Sequence, residues 1–158
     1  MRAILIIDHG SVRAEANHML SCVANLLQSM IGPGVLVRYA HMELAEPSIA
    51  QSFAACVEAG AREVIAFPYM LSPGKHSTRD IPRLVGEAAA RFPGVIYRVT
   101  PAFGVTRQLA EVIAERAGVD VLAAGSPDAG CRCWDSEARV GACGPACAAM
   151  IAEVPVSS

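Results

Sequence analysis

Four times along this chain an apolar run gives way to a segment whose apolar residues recur at helical spacing, with glycine or proline at most joints. That alternation excludes most architectures. Strands separated by helix-length segments cannot close as hairpins, so they run parallel and the helices cover the sheet. Residues 2–7 read as a buried first strand, with Asp8 to Val12 as its exit loop. Ala16, Met19, Leu20, Val23, Leu27 and Met30 then form one apolar helical face, which Gly32-Pro33-Gly34 terminates. Residues 35–40 read as a second strand. Pro47 is expected in the first turn of a second helix, with Ile49, Phe53, Cys56 and Val57 on its inner face. A third strand covers 63–67 and a long loop 68–77. Asp80 is positioned to cap a third helix, with Pro82 in its first turn. Pro93-Gly94 closes that helix; a fourth strand over 95–99 and a fourth helix over 106–117 follow.

The fold class is therefore α/β, a parallel sheet of about four strands with helices on both faces. Right-handed crossovers leave few arrangements, and the flavodoxin-like order 2-1-3-4 is the expectation. Its winding reverses between strands one and three, and open α/β sheets bind ligands at such a point, beyond the carboxyl ends of the strands. At 158 residues a single domain suffices for a real core. It is expected over 1–124, with a short added strand at 119–124. Residues 125–158, rich in Gly, Pro and Cys and without clear periodicity, read as a tail.

Hydrophobic residues make up 53% of the chain and aromatics only 5%, which suits an aliphatic sheet under Ala-rich helices. A net charge of -2 gives no reason to expect a nucleic-acid partner. No window approaches the roughly 18 apolar residues of a membrane span, and the N-terminal run is too short for a signal-peptide core. The expected compartment is the cytoplasm, where cysteines serve as thiols or metal ligands more often than as disulfides.

Both strands at the switch point lead into loops carrying histidine: Asp8-His9-Gly10-Ser11 and Pro73-Gly74-Lys75-His76. Imidazole is a metal ligand and a base near neutral pH, and Gly74 lets the loop backbone approach a ligand. Glu43 follows the second strand, so its loop can reach the same edge, although alone it is an ordinary surface carboxylate. His41 is a weaker candidate, aimed away from Met42 and equally suited to the surface. His18 reads as a solvated histidine, and Cys22 and Cys56 as small core thiols. Arg13, Lys75, Arg79, Arg83 and Arg107 fall near helix starts. Positive charge opposes the helix dipole there, a hint of an acidic ligand.

His9-Gly10-Ser11, then Glu43-Leu44 ahead of Pro47-Ser48-Ile49, then Gly74-Lys75-His76 with Asp80-Ile81-Pro82, together resemble the CbiX/SirB group of sirohydrochlorin chelatases over roughly residues 1–118. The resemblance implies insertion of cobalt, iron or nickel, as a divalent substrate, into a sirohydrochlorin-like tetrapyrrole during cobalamin, siroheme or coenzyme F430 biosynthesis. Cobalt is the first expectation. It also implies a homodimer, since the length matches the single-unit form. His9 and His76 carry over as catalytic residues and metal pair, with His9 the proton acceptor, and Glu43 as third ligand or substrate contact. Substrate binding is expected at Ser11, Arg13, Tyr69, Met70, Leu71, Ser72, Gly74, Lys75 and Arg79. Phe67 and Tyr69 to Leu71 are expected to face the ring.

Two features depart from that pattern, Asp8 beside His9 and the cysteine-rich tail. Cys131, Cys133, Cys143 and Cys147 suit an Fe–S cluster, zinc, or redox-active or paired thiols. A non-enzymatic alternative is a metal carrier using the same histidines and the tail. A flavodoxin-like binding module fits less well, because the loop after the first strand is not the Ser/Thr/Gly type that holds phosphate.

Overall fold

The computed structural model describes residues 1–121. Within them β1 (Arg2–Asp8), α1 (Ala14–Ile31), β2 (Val35–His41), α2 (Ile49–Glu58) and β3 (Glu63–Pro68) are followed by a single π-helical turn (His76–Asp80). That turn runs into α3 (Ile81–Ala89), then β4 (Ile96–Val99) and α4 (Arg107–Ala117). The sheet is parallel with order β2-β1-β3-β4, as the alternation required. Val119 to Val121 are not strand. Residues 122–124, the tail 125–158 and its four cysteines lie outside the described residues. Among the described residues no helix is long and apolar enough to cross a membrane.

Strand alternation divides the core. Ala3, Leu5 and Ile7 of β1 and Val64 and Ala66 of β3 face α2 and α3, where they meet Ile49, Phe53, Cys56, Ile81 and Val85. Phe53 stacks on Phe92 with ring centroids 6.0 Å apart. On the other face Ile6 and Val37 pack on Leu20 and Ala24 of α1, with Ile4, Tyr39, Phe67 and Tyr69 around them. Each fully buried aliphatic or Phe side chain contributes about 1.5–3 kcal/mol, and most of that burial lies in the larger cluster.

Three local expectations change. Pro47 lies outside the first turn of α2: the helix begins at Ile49, and Ser48 is its N-cap, with a reciprocal Ser48–Gln51 capping box. The apolar stripe of α1 is only partly covered. Leu20 and Ala24 are buried, whereas Ala16, Met19 and Met30 are exposed, and Cys22 is an exposed thiol and not a core one. Beside that stripe an open apolar cavity of about 460 Å³ runs between α1 and the sheet, lined by Ile4, Ile6, Leu27, Met30, Phe67 and Phe103 among others.

Candidate functional site

The candidate site is built where β1, β2 and β3 end. Beyond its last strand residue β1 stays tied to β2 through main-chain bonds: Met42 N donates to Asp8 O (2.9 Å) and Glu43 N to His9 O (3.0 Å). These bonds bring the His9 and Glu43 backbones to one edge. Gly10 makes the approach possible. Its φ is +83°, and a Cβ there would lie 2.0 Å from the Glu43 carbonyl oxygen, so only glycine fits.

Behind His9 lies a pair that the sequence did not disclose. Asp8 and His41 are register partners across β1 and β2, and His41 Nδ1 lies 2.6 Å from Asp8 Oδ1. The His41 side chain is only 1% exposed. A carboxylate only accepts, so Nδ1 carries the proton in this pair. The same Asp8 oxygen accepts from Gly10 N at 2.9 Å, which joins the buried imidazole to the His9 turn. Asn17 completes the clamp: its amide donates to Ser11 O (2.8 Å) and its oxygen accepts from Ser11 N (2.9 Å). The Ser11 hydroxyl, expected to touch substrate, accepts from Arg13 N and serves the turn.

On the β3 side, Ser77 and Thr78 fix the turn before His76. Thr78 N, Thr78 Oγ1 and Ser77 Oγ all donate to Gly74 O, and Gly74 N donates to Ser77 Oγ. The expected cap at Asp80 is replaced by a different bond. Asp80 makes no capping contact; its carboxylate holds His76 Nδ1 at 3.0 Å and Arg79 Nε at 3.2 Å. Burial pushes the Asp80 carboxyl up, but the hydrogen bonds from Arg79 and His76 and the nearby charges of Arg79 and Lys75 outweigh it and hold it below its ordinary value.

His9 and His76 therefore meet, with ring centroids 5.1 Å apart in an edge-to-face arrangement of 72°. Hydrogen bonding assigns their tautomers. His9 Nδ1 faces the Gly10 carbonyl at 3.3 Å and His76 Nδ1 faces Asp80, both acceptors only, so each neutral ring keeps its Nε2 lone pair free. Two such lone pairs at one edge can hold a cation or take a proton. Among the described residues no group of three His, Cys, Asp or Glu gathers as a metal cage. Glu43 is tied in by its main chain and is exposed.

Other expected contacts are redistributed. Phe67, Tyr69, Met70 and Leu71 do not share a face: Phe67 and Tyr69 turn to the α1 side against Phe103, Met70 packs on the opposite cluster, and Leu71 is exposed. Gly74, Lys75 and Ser72 remain on the exposed loop. Three of the helix-start cations already have carboxylate partners, Arg79 with Asp80, Arg83 with Glu87 and Arg107 with Glu111. That removes much of the dipole argument for an acidic ligand. Arg13 and Lys75 form no ion pair among the described residues.

The CbiX family model matches residues 3–119. The chain is 42% identical over 113 residues to the chloroplastic sirohydrochlorin ferrochelatase of Arabidopsis thaliana, covering 72% of this chain and 50% of that protein. It is 30% identical over 116 residues to the sirohydrochlorin cobaltochelatase of Sulfurisphaera tokodaii, covering 73% of this chain and 91% of that protein. The structure of SirB from Bacillus subtilis with Fe3+ superposes with a TM-score of 0.68 at 27% identity, over 75% of this chain and 48% of that one. The chain thus spans about half the length of the Arabidopsis and Bacillus proteins.

Proposed function

The chain belongs to the CbiX family, and from that premise we propose that it inserts a divalent metal, cobalt first and iron or nickel next, into sirohydrochlorin. The observation that carries the reading is the His9–His76 pair, 5.1 Å apart, with each Nδ1 engaged and each Nε2 free.

The chemistry has a simple balance. Two ring N–H protons leave the tetrapyrrole as one divalent cation enters. His9, with its Nε2 lone pair at the exposed edge, accepts a proton from a pyrrole nitrogen and passes it to solvent. His76, held through Nδ1 by Asp80, presents Nε2 to the metal, the carboxylate–histidine arrangement that fixes a ligating ring. Glu43, whose backbone the His9 loop holds at this edge, is the third donor, its exposed side chain having to swing in to reach the ion. Imidazole and carboxylate donors with open positions suit Co2+, Fe2+ and Ni2+, and a site short of four protein ligands releases what it binds. Lys75 and Arg13, without intramolecular carboxylates among the described residues, are the cations left for the substrate's acidic side chains. The working form is a homodimer, and residues 125–158 are not needed for the chemical step.

The test is anaerobic incubation of the protein with sirohydrochlorin and each of Co2+, Fe2+ and Ni2+, followed by absorbance. A shift to the metallated spectrum above the uncatalysed rate is expected. Metal binding without metallation would replace the enzyme with a carrier. Light scattering at assay concentration checks the dimer.

A further inference from the structure

Outside the site just described, helix α1 carries a second arrangement of donors. His18 and Cys22 stand one turn apart on its exposed surface, and Cys22 Sγ lies 3.5 Å from His18 Nε2. The remaining nitrogen is also engaged: His18 Nδ1 lies 3.2 Å from Ser21 Oγ. Ser21 has one hydroxyl proton, and it goes to the His18 carbonyl oxygen at 2.7 Å. The serine oxygen can then only accept from the ring, which puts the imidazole proton on Nδ1 and leaves the Nε2 lone pair toward the thiol. This is the outer contact that orients a metal-binding histidine.

We propose that His18 and Cys22 form a surface site for a thiol-seeking divalent cation such as Zn2+ or Co2+, separate from the His9–His76 pair. The separation fits. A tetrahedral ion with about 2.3 Å to sulfur and about 2.05 Å to nitrogen holds the two donors about 3.6 Å apart. Binding exchanges one proton for one cation: the S–H bond breaks, the proton goes to solvent, and sulfur and Nε2 both bind the ion. No third His, Cys, Asp or Glu joins the pair among the described residues, so water completes the shell and the ion exchanges. The pair sits in the second and third turns of the helix that leaves the His9 loop. This inference does not depend on the reading of His9 and His76.

The test uses the full chain under a reductant that does not bind metal. Cys22 is alkylated with iodoacetamide, with and without Zn2+, and its modification rate is followed by peptide mass spectrometry, which separates it from the other cysteines. Several-fold protection by Zn2+ is expected, abolished in His18→Gln and weakened in Ser21→Ala. With Co2+, a near-ultraviolet thiolate-to-metal band should be diminished by Cys22→Ser. Equal alkylation rates with and without metal, or protection that survives in His18→Gln, would overturn the proposal.

Discussion

Replacing Gly10 with alanine tests the account of how the site is assembled. The added Cβ would stand 2.0 Å from Glu43 O, 3.1 Å from Glu43 C and 3.1 Å from His41 Cβ. Real Cβ atoms essentially never approach closer than 3.0 Å, so the β1 and β2 exits must part by about 1 Å. The obstacle is main chain and cannot rotate away. Parting stretches the Glu43 N to His9 O bond from 3.0 Å beyond useful length, a loss of about 0.5–1.5 kcal/mol. The φ of +83° adds about 1–2 kcal/mol for any residue with a Cβ, and overpacking adds about 1–3 kcal/mol. The expected destabilisation is about 3–6 kcal/mol, a large part of the 5–15 kcal/mol typical of a domain. Urea unfolding reads it as a lower midpoint at unchanged slope. Gly74→Ala is the matched control, because nothing lies within 4 Å of its Cβ position and its φ is not left-handed. That variant should stay within about 0.5 kcal/mol of the parent or gain slightly. A Gly10→Ala protein with the parent's midpoint would refute the close approach on which the site depends.

His9→Ala and His76→Ala should each lose most metal insertion while far-UV circular dichroism stays unchanged; full activity in a folded variant removes that residue from the mechanism. Asp8→Ala leaves the buried His41 N–H and the Gly10 N–H without their acceptor, and should cost about 1–3 kcal/mol for the unsatisfied group, read by urea unfolding. Asp80→Ala frees the His76 ring and should weaken Co2+ binding at that site roughly 10–100-fold, measured calorimetrically. Because the Asp80 carboxyl titrates below its ordinary value, its contribution to stability is complete above about pH 4 and is lost as pH falls through the lowered value. The midpoint difference between parent and Asp80→Ala should therefore hold at neutral pH and close in acid.

The sheet was legible because its signal is local and repeated: Ala3, Leu5 and Ile7 alternate with Ile4 and Ile6, and the intervening helices leave only parallel pairing. The two histidines were legible for the same reason, since strand order alone brings their loops together. His41 was not, because its burial comes from a register partner far away in sequence, Asp8. Asp80 has the chemistry of a cap, and no local rule foretells the π-turn that gives its carboxylate to His76. That Phe67, Tyr69, Met70 and Leu71 do not share one face was missed, because successive residues along extended chain point to opposite sides. Cys22 lies close enough to the Leu20–Ala24 line to read as core, but α1 touches the sheet along a strip narrower than its apolar face.

The two halves of the candidate site are anchored by different means, and this bears on how the proposed site would treat ions of different size. The His9 half continues the sheet: peptide groups hold it, and moving it means unzipping a strand end. The His76 half is a turn: two hydroxyls and one amide gather on Gly74 O, Asp80 holds the ring, and Ile81 N donates to His76 O where the turn enters α3. Amide hydrogens of Met42 and Glu43 should accordingly outlast that of Thr78 in deuterium exchange. If the proposed site takes a metal, an entering ion would meet one wall built of sheet and one built of turn, and the turn carrying His76 is the side expected to give. On the proposed reading, tolerance among metals would be an elastic property of the turn over residues 74–80, tunable at Ser77 and Thr78 without altering a single donor atom.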